Sequence, residues 1–275
     1  MLKYLEPLDW LPTADELPES DETPVDSEIQ ETLPNLLKFI LAAILADRSD
    51  WFFGIDMGVY YNPDVPAVVP DAFLSLGVET MKSEDLRSSY VLWEEKGIIP
   101  QLVLEVVSQT YRGEYTTKKD LYEDLGVLYY IVYNPIRKRK PSLEIYRLIN
   151  GKYLPVIGSP VWMPEIGLGI GKEKHTYHGR HREWLFWYDE QGTRYPTPQE
   201  TIDQARQEAN QFKQQAQEDR KKAKEDRKKS KEDQQKSQEN QQKVQEINLQ
   251  LQSEQERSKR LSDRLIELGI NPDEI

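Results

Sequence analysis

Asp71, Glu105 and Lys118 are the residues of this chain whose types and spacing offer chemistry. Asp71 stands in VVPDAFLSL, Glu105 in QLVLEVVSQ and Lys118 in EYTTKKDLYEDLGV. Two carboxylates can hold a hard divalent cation, and a lysine beside them can steady a phosphate or an attacking water. These are the requirements of metal-assisted phosphodiester hydrolysis. A glutamate flanked by LVL and VVS is costly inside an apolar strand unless it is paired or bound to metal. A structural carboxylate balanced by Lys118 or Arg112 fits the same letters, so these residues alone leave both readings open.

The elements that must position them can be read from periodicity. PQLVLEVVSQ (100–109) is continuously apolar, the character of a buried central strand. TTKKDLYEDLGV predicts a short amphipathic helix with Leu121, Tyr122 and Leu125 on one face and Gly126 at its end. LYYIVYNP (128–135) reads as a strand stopped by Asn134-Pro135, and SLEIYRLINGKYLPV as a hairpin turning at Asn150-Gly151. Upstream, WFFGIDMGVYY (51–61) and AVVPDAFLSLGV (67–78) read as two strands, the second crossed by the Pro70-Asp71 step. A helix is expected from a cap at Asp26 or Ser27 to Ala46, either beginning near Pro34 or kinked there. The order helix, strands, helix, strands predicts an α/β fold, a mixed sheet flanked by helices.

Composition sets the boundaries. Residues 1–31 hold ten acidic groups against Lys3, so most of the net charge of −12 lies there. Residues 1–26 read as an acidic, disordered arm and 27–195 as the folded domain. From Gln199 onward Phe212 is the one aromatic residue, and 199–268 reads as a long polar helix, with 269–275 as its end. With no cysteine and no basic-then-apolar leader, a reducing cytoplasm is the expected compartment. The apolar run Leu36–Ala46 is too short for a bilayer and predicts a core helix, not a membrane span. Arg112, Lys118, Lys119 and the run RKRK (137–140) keep nucleic acid open as a partner, although RKRK also suits a solvated turn.

The tail repeats a seven-residue unit: RKKAKED, RKKSKED, QQKSQEN, QQKVQEI. One heptad position carries Ala209, Ala216, Ala223, Ser230, Ser237, Val244 and Leu251; its partner position carries Asp219, Asp226, Asp233 and Asn240. Such a polar seam suits either a solvated helix or a weak coiled coil, the latter making a homo-oligomer through residues 199–268. His175, His178 and His181 in HTYHGRH read as an exposed turn, with a zinc or nickel site as the lesser alternative. REWLFWYDEQG (182–192) predicts a closing strand with Trp184, Phe186 and Tyr188 facing one side, in preference to a base-stacking surface.

Pro70-Asp71, LVLEVVS and KKDLYEDLGVLYYIVYNP together resemble the Uma-two family of restriction endonuclease-like proteins, within the PD-(D/E)XK nuclease superfamily. The likeness covers about residues 27–170, and the ending LIELGINPD resembles the tails of many members. It implies a restriction-endonuclease-like fold and a Mg2+- or Mn2+-dependent endonuclease acting on DNA. Asp71 and Glu105 would be the metal carboxylates, the Val106 backbone carbonyl a third ligand, and Glu28 an occasional first-helix acid. Where the superfamily has its lysine, two residues after the acid, this chain has Val107. The resemblance places the working amine at Lys118, with Lys119 one register away. The acidic arm replaces the family's opening strands, and Gln109 replaces its usual proline. A catalytically degenerate nuclease fold acting as an adaptor through its tail is the competing reading.

Overall fold

In a computed structural model of the chain, the structure describes residues 11–13, 16–17, 27–81, 86–108, 111–136 and 139–269. Most of the acidic arm, Gln109, Arg137, Lys138 and the segment 270–275 lie outside the described residues. Two compact units divide the chain, Met1–Ile202 and Asp203–Ile275.

The first unit opens with helix α1 (Glu28–Ile44), followed by β1 (Trp51–Ile55), β2 (Val59–Tyr60), β3 (Ala72–Leu76), β4 (Tyr90–Val91) and β5 (Leu102–Val106). Then come α2 (Thr117–Leu125), β6 (Tyr129–Tyr133), β7 (Leu143–Ile149), β8 (Lys152–Val156), β9 (Val161–Met163), β10 (Leu168–Tyr177) and β11 (Arg180–Tyr188). A six-stranded sheet runs in the order β1-β3-β5-β6-β7-β8. It is mixed: β5 and β6 are parallel, with α2 as their crossover, and the other neighbours are antiparallel. A three-stranded sheet, β11-β10-β9, and the small parallel pair β2-β4 complete the strands.

Strand period sorts the sheet's side chains into two cores. Leu102, Leu104 and Val106 of β5 pack with Leu33, Leu36, Leu37, Ile40 and Leu41 of α1 and with the aromatics of β11. Val103 and Val107 face the other way, against Tyr122 and Leu125 of α2. Glu105 shares their parity and is thereby directed toward α2, not α1. A one-residue slip of β5 would exchange the two faces and turn Glu105 toward α1.

Several elements differ from the sequence expectation. The run 51–61 is broken at Asp56, whose φ of 48° ends β1 before the short β2. The strand expected over 67–78 is only 72–76, because Pro70 cannot donate to a ladder and Asp71 uses its side chain elsewhere. Pro34 does not start α1; the helix begins at Glu28 and runs through it, leaving the Gln30 carbonyl without its usual donor. β11 is the expected closing strand with Trp184, Phe186 and Tyr188 on one side, and Leu185 and Trp187 on its other side are buried as well. Trp187 donates to the Leu37 carbonyl at 2.9 Å, and no base-stacking surface exists there.

Two turns follow the residues that demand them. Asn150 (φ 50°) and Gly151 (φ 77°) make the β7–β8 hairpin, a turn needing positive φ at both positions. Gly126 (φ 94°) ends α2, its N–H and that of Val127 returning to the Tyr122 carbonyl at 3.1 and 3.0 Å.

Helix α3 (Pro198–Glu267) begins in the first unit and continues through the second. Its start is a capping box: Glu200 N–H donates to Thr197 Oγ1 at 3.2 Å, and Thr197 N–H donates to Glu200 Oε2 at 2.7 Å. Beyond Ile202 its side chains are exposed, with only Ser262 and Leu265 intermediate. No helix among the described residues is long and apolar enough to cross a membrane.

Candidate active site

Where the β3–β5 ladder stops, at Ala72↔Leu104, the amide of Val106 is left without a ladder partner from β3. Asp71 supplies one: its Oδ2 accepts the Val106 N–H at 2.5 Å. The carboxylate is thus held at the end of β5, one residue from Glu105. Gln30, on the first turn of α1, donates to Asp71 Oδ1 at 3.3 Å.

From the other face, α2 presents Lys118 and Tyr122, four residues apart and therefore stacked on one side of the helix. Lys118 Nζ donates to both oxygens of Glu105, at 3.0 and 2.8 Å, and to the Val69 carbonyl at 3.3 Å. Tyr122 donates its hydroxyl to Glu105 Oε1 at 2.8 Å. Glu105 is 2 % exposed at the side chain, while Lys118 keeps 26 %. The amine is the part of the pair open to an incoming group.

Electrostatics follow from this burial. Desolvation pushes the Asp71 carboxyl up to about 6, opposed by the Val106 amide, Lys118 and Gln30 and assisted by Asp56. Glu105 is driven up to about 8, again by burial first; Lys118 and Tyr122 pull against it, and Asp71 adds to the rise. Burial works against the Lys118 ammonium, but Glu105, Asp71 and Glu114 outweigh it and raise its pKa. Three donor contacts, two from Lys118 and one from Tyr122, converge on Glu105 and favour its charged form against burial. Tyr122 is held well above its ordinary range by burial and by the Glu105 charge, and remains a proton donor.

The structure therefore brings Asp71, Glu105, Val106 and Lys118 together. It does not bring Glu28, whose carboxylate is exposed and pairs with Arg180 on β11. Two residues along a helix are about 200° apart, so Gln30 and Glu28 cannot face the same way. Lys119 turns from the carboxylates and lies over the Tyr146 ring, 3.7 Å from its centroid. Val107 is buried on the face of Glu105 and leaves the amine to come from α2. Gln30 carried no sequence signal, whereas Tyr122 could have been found from its spacing to Lys118.

The histidines are separated by their partners. His178 (φ 47°) and Gly179 form the β10–β11 turn, and His178 stacks on Tyr177. His181 Nδ1 contacts Thr176 Oγ1 at 3.0 Å, and His175 Nε2 lies 3.6 Å from Glu200. No group of three or more His, Cys, Asp or Glu suited to a metal occurs among the described residues. Of the basic run, Lys140 lies over the Tyr115 ring at 3.8 Å, between β6 and β7.

Comparison with curated proteins gave no match. Among solved structures, the chain is similar to a putative nuclease belonging to DUF820 from Anabaena variabilis, with 14 % identity and a TM-score of 0.40. That similarity covers 56 % of this chain and 90 % of the other. The profile of the Uma2 (Uma-two) family, described as "Putative restriction endonuclease", matches residues 19–170, over half of the chain. The chain belongs to the Uma2 family.

Proposed function

We propose that this protein is an endonuclease that hydrolyses DNA phosphodiester bonds with Mg2+ or Mn2+, using Asp71, Glu105 and Lys118. The observation that carries the reading is their convergence at the end of β5, where two largely desolvated carboxylates face a single ammonium. Negative charge in excess at such a site is what a divalent cation neutralises.

The donor set suits a hard cation. Asp71 accepts one hydrogen bond on each oxygen and Glu105 Oε2 accepts one, so each of these oxygens retains a lone pair. In an extended strand the C=O of a residue points to the same edge as its N–H, so the Val106 carbonyl shares the edge that Asp71 occupies. Asp71, Glu105 and the Val106 carbonyl would hold the ion, which supplies Lewis-acid stabilisation of charge on the phosphate and a more acidic water. Lys118 binds a non-bridging phosphate oxygen or orients the water, with its ammonium positioned by Glu105 and the Val69 carbonyl. Tyr122 keeps Glu105 in a fixed rotamer, and Gln30 does the same for Asp71.

A second reading is favoured by one contact set. Both oxygens of Glu105 already bind Lys118 or Tyr122, which also describes a satisfied structural ion pair in an inactive scaffold. Supercoiled plasmid separates the two. Wild type with Mg2+ or Mn2+ is expected to nick and linearise it, and Lys118→Ala and Glu105→Ala to lose at least about 100-fold of the rate. Plasmid left intact with every metal, or cut equally by the variants, would assign the trio to the scaffold.

A further inference from the structure

The tail is close to neutral as a whole but not along its length. Residues 199–275 hold seventeen acidic and sixteen basic side chains. Eight of those basic residues fall within 220–231, against Glu225 and Asp226 alone. This stretch lies inside α3, and each of its side chains is exposed.

Helical geometry then sorts the charges by face. At about 100° per residue, Arg220, Lys221, Lys224, Arg227, Lys228 and Lys231 occupy an arc of about 120°. No carboxylate falls within that arc. Glu232 and Glu225 flank one edge of the arc, about 20° and 40° beyond Lys221, and Asp226 and Asp233 lie on the opposite side with Lys222 and Lys229. Of the six cations, Lys228 is the one with an ion pair among the described residues, a 3.9 Å contact to Glu232 with both side chains exposed.

A merely solvated helix interleaves its signs around the surface, gaining a few tenths of a kcal/mol from each i,i+4 pair. Here Lys221 and Lys228 have such partners in Glu225 and Glu232, but Arg220, Lys224, Arg227 and Lys231 have no carboxylate three or four residues away. Pairing with a second copy is also disfavoured over this stretch. The seam would present Asp219, Ala223, Asp226, Ser230 and Asp233, and the acidic side carries two lysines of its own. A regular polyanion is the remaining complement. Arg220 to Lys231 span about 16 Å of helix. Over that length duplex DNA carries roughly nine phosphates, more than enough for six cations.

We propose that this α3 face docks the phosphate backbone of duplex DNA without reading its sequence. The choice of DNA rests on the nuclease reading above; the face adds a contact that the carboxylate site does not supply. Lysine and arginine bound to phosphates position a protein and carry no base information.

The test is anisotropy of a labelled 30-base-pair duplex with the full chain, without divalent cation, from low to moderate salt. Arg220, Lys224, Arg227 and Lys231 are changed together to Gln; Lys222→Gln with Lys229→Gln is the control on the other face. The fourfold variant is expected to bind about 10- to 100-fold more weakly at 100 mM salt. Its slope of log K against log salt should fall by about 3 to 4, for every duplex sequence tried. The control should weaken binding by no more than about threefold. Equal losses in both variants, or no loss in either, would overturn the proposal. So would a fourfold variant that binds DNA normally but shifts from dimer to monomer in sedimentation, which marks a self-pairing face. Circular dichroism of both variants checks that α3 stays helical. Binding is scored apart from cleavage. DNA held by this face but never cut removes the nuclease reading alone, and DNA cut by a chain whose fourfold variant binds normally removes this proposal alone.

Discussion

On the six-stranded sheet Lys118 meets Glu105 at 2.8 Å, with the carboxylate side chain 2 % exposed. On α3 Lys228 meets Glu232 at 3.9 Å, with the two side chains 81 % and 55 % exposed. The residue types are the same, but the physical consequences diverge. In the first pair desolvation wins at Glu105 and attraction wins at Lys118, so its charges depend on one another and on Asp71. The second is bathed in water and salt, where such a pair contributes roughly 0.2–0.5 kcal/mol. Charge in one unit is hidden, and in the other it is exposed to water and salt.

The largest expected break in this contrast is Lys118→Ala. It leaves Glu105 buried without its cation, and we expect a loss of about 3 kcal/mol in urea unfolding, read from the midpoint at unchanged m. Adding Glu105→Gln to that variant should restore part of the stability while plasmid cleavage stays absent. Full additivity of the two changes would mean that the pair is not coupled.

Next comes pH. The folded Asp71 carboxyl titrates at about 6, above its value in an unfolded chain. Between those values the native state binds more protons, so the stability from protonated Asp71 is complete below about pH 4 and is lost as pH rises through 6. Glu105 acts in the same direction up to about 8; Lys118, whose pKa is also raised, contributes with the same sign only above its ordinary value, outside this window. Melting of the metal-free protein should therefore drop by several degrees from pH 5 to pH 8, and Asp71→Asn should flatten the drop. Added Mn2+ should restore stability, increasingly so toward pH 8, because its ligands must be deprotonated. A profile that rises over this window would contradict the buried-carboxylate account.

A smaller effect is expected at Tyr122→Phe, which deletes one donor to Glu105 and no bulk. A loss of about 1–2 kcal/mol is expected in denaturant titration, together with slower cleavage. The same titration on Glu232→Gln should register less than about 0.5 kcal/mol. If the tail change costs as much as the Tyr122 change, the two regions do not differ as described.

Much of the frame was legible before any coordinates. The apolar period marked α1, the LVLEV strand was bounded by its own composition, and Asn150-Gly151 could only turn a hairpin. Asp71, Glu105 and Lys118 stood out because charged groups beside apolar runs are expensive. Less legible were events between elements. WFFGIDMGVYY alternates weakly and reads as one strand, yet Asp56 bends it, and on β11 Leu185 and Trp187 are buried on the face opposite Trp184, Phe186 and Tyr188. Burial on the second face comes from α1 and the sheet, segments far away in the sequence.

By itself, then, the sequence determined which segments become strands and helices, since period and turn chemistry are local properties. It also determined that residues 220–231 carry a basic face, because a single helix sets the angle between its own residues. Only the tertiary structure decided that Lys118 would meet Glu105 while Lys119 settled on Tyr146, and that Gln30 rather than Glu28 would reach Asp71. Those choices depend on how far each helix rotates as its leucines and tyrosines pack on the sheet, and that rotation is a sum over contacts from the whole fold.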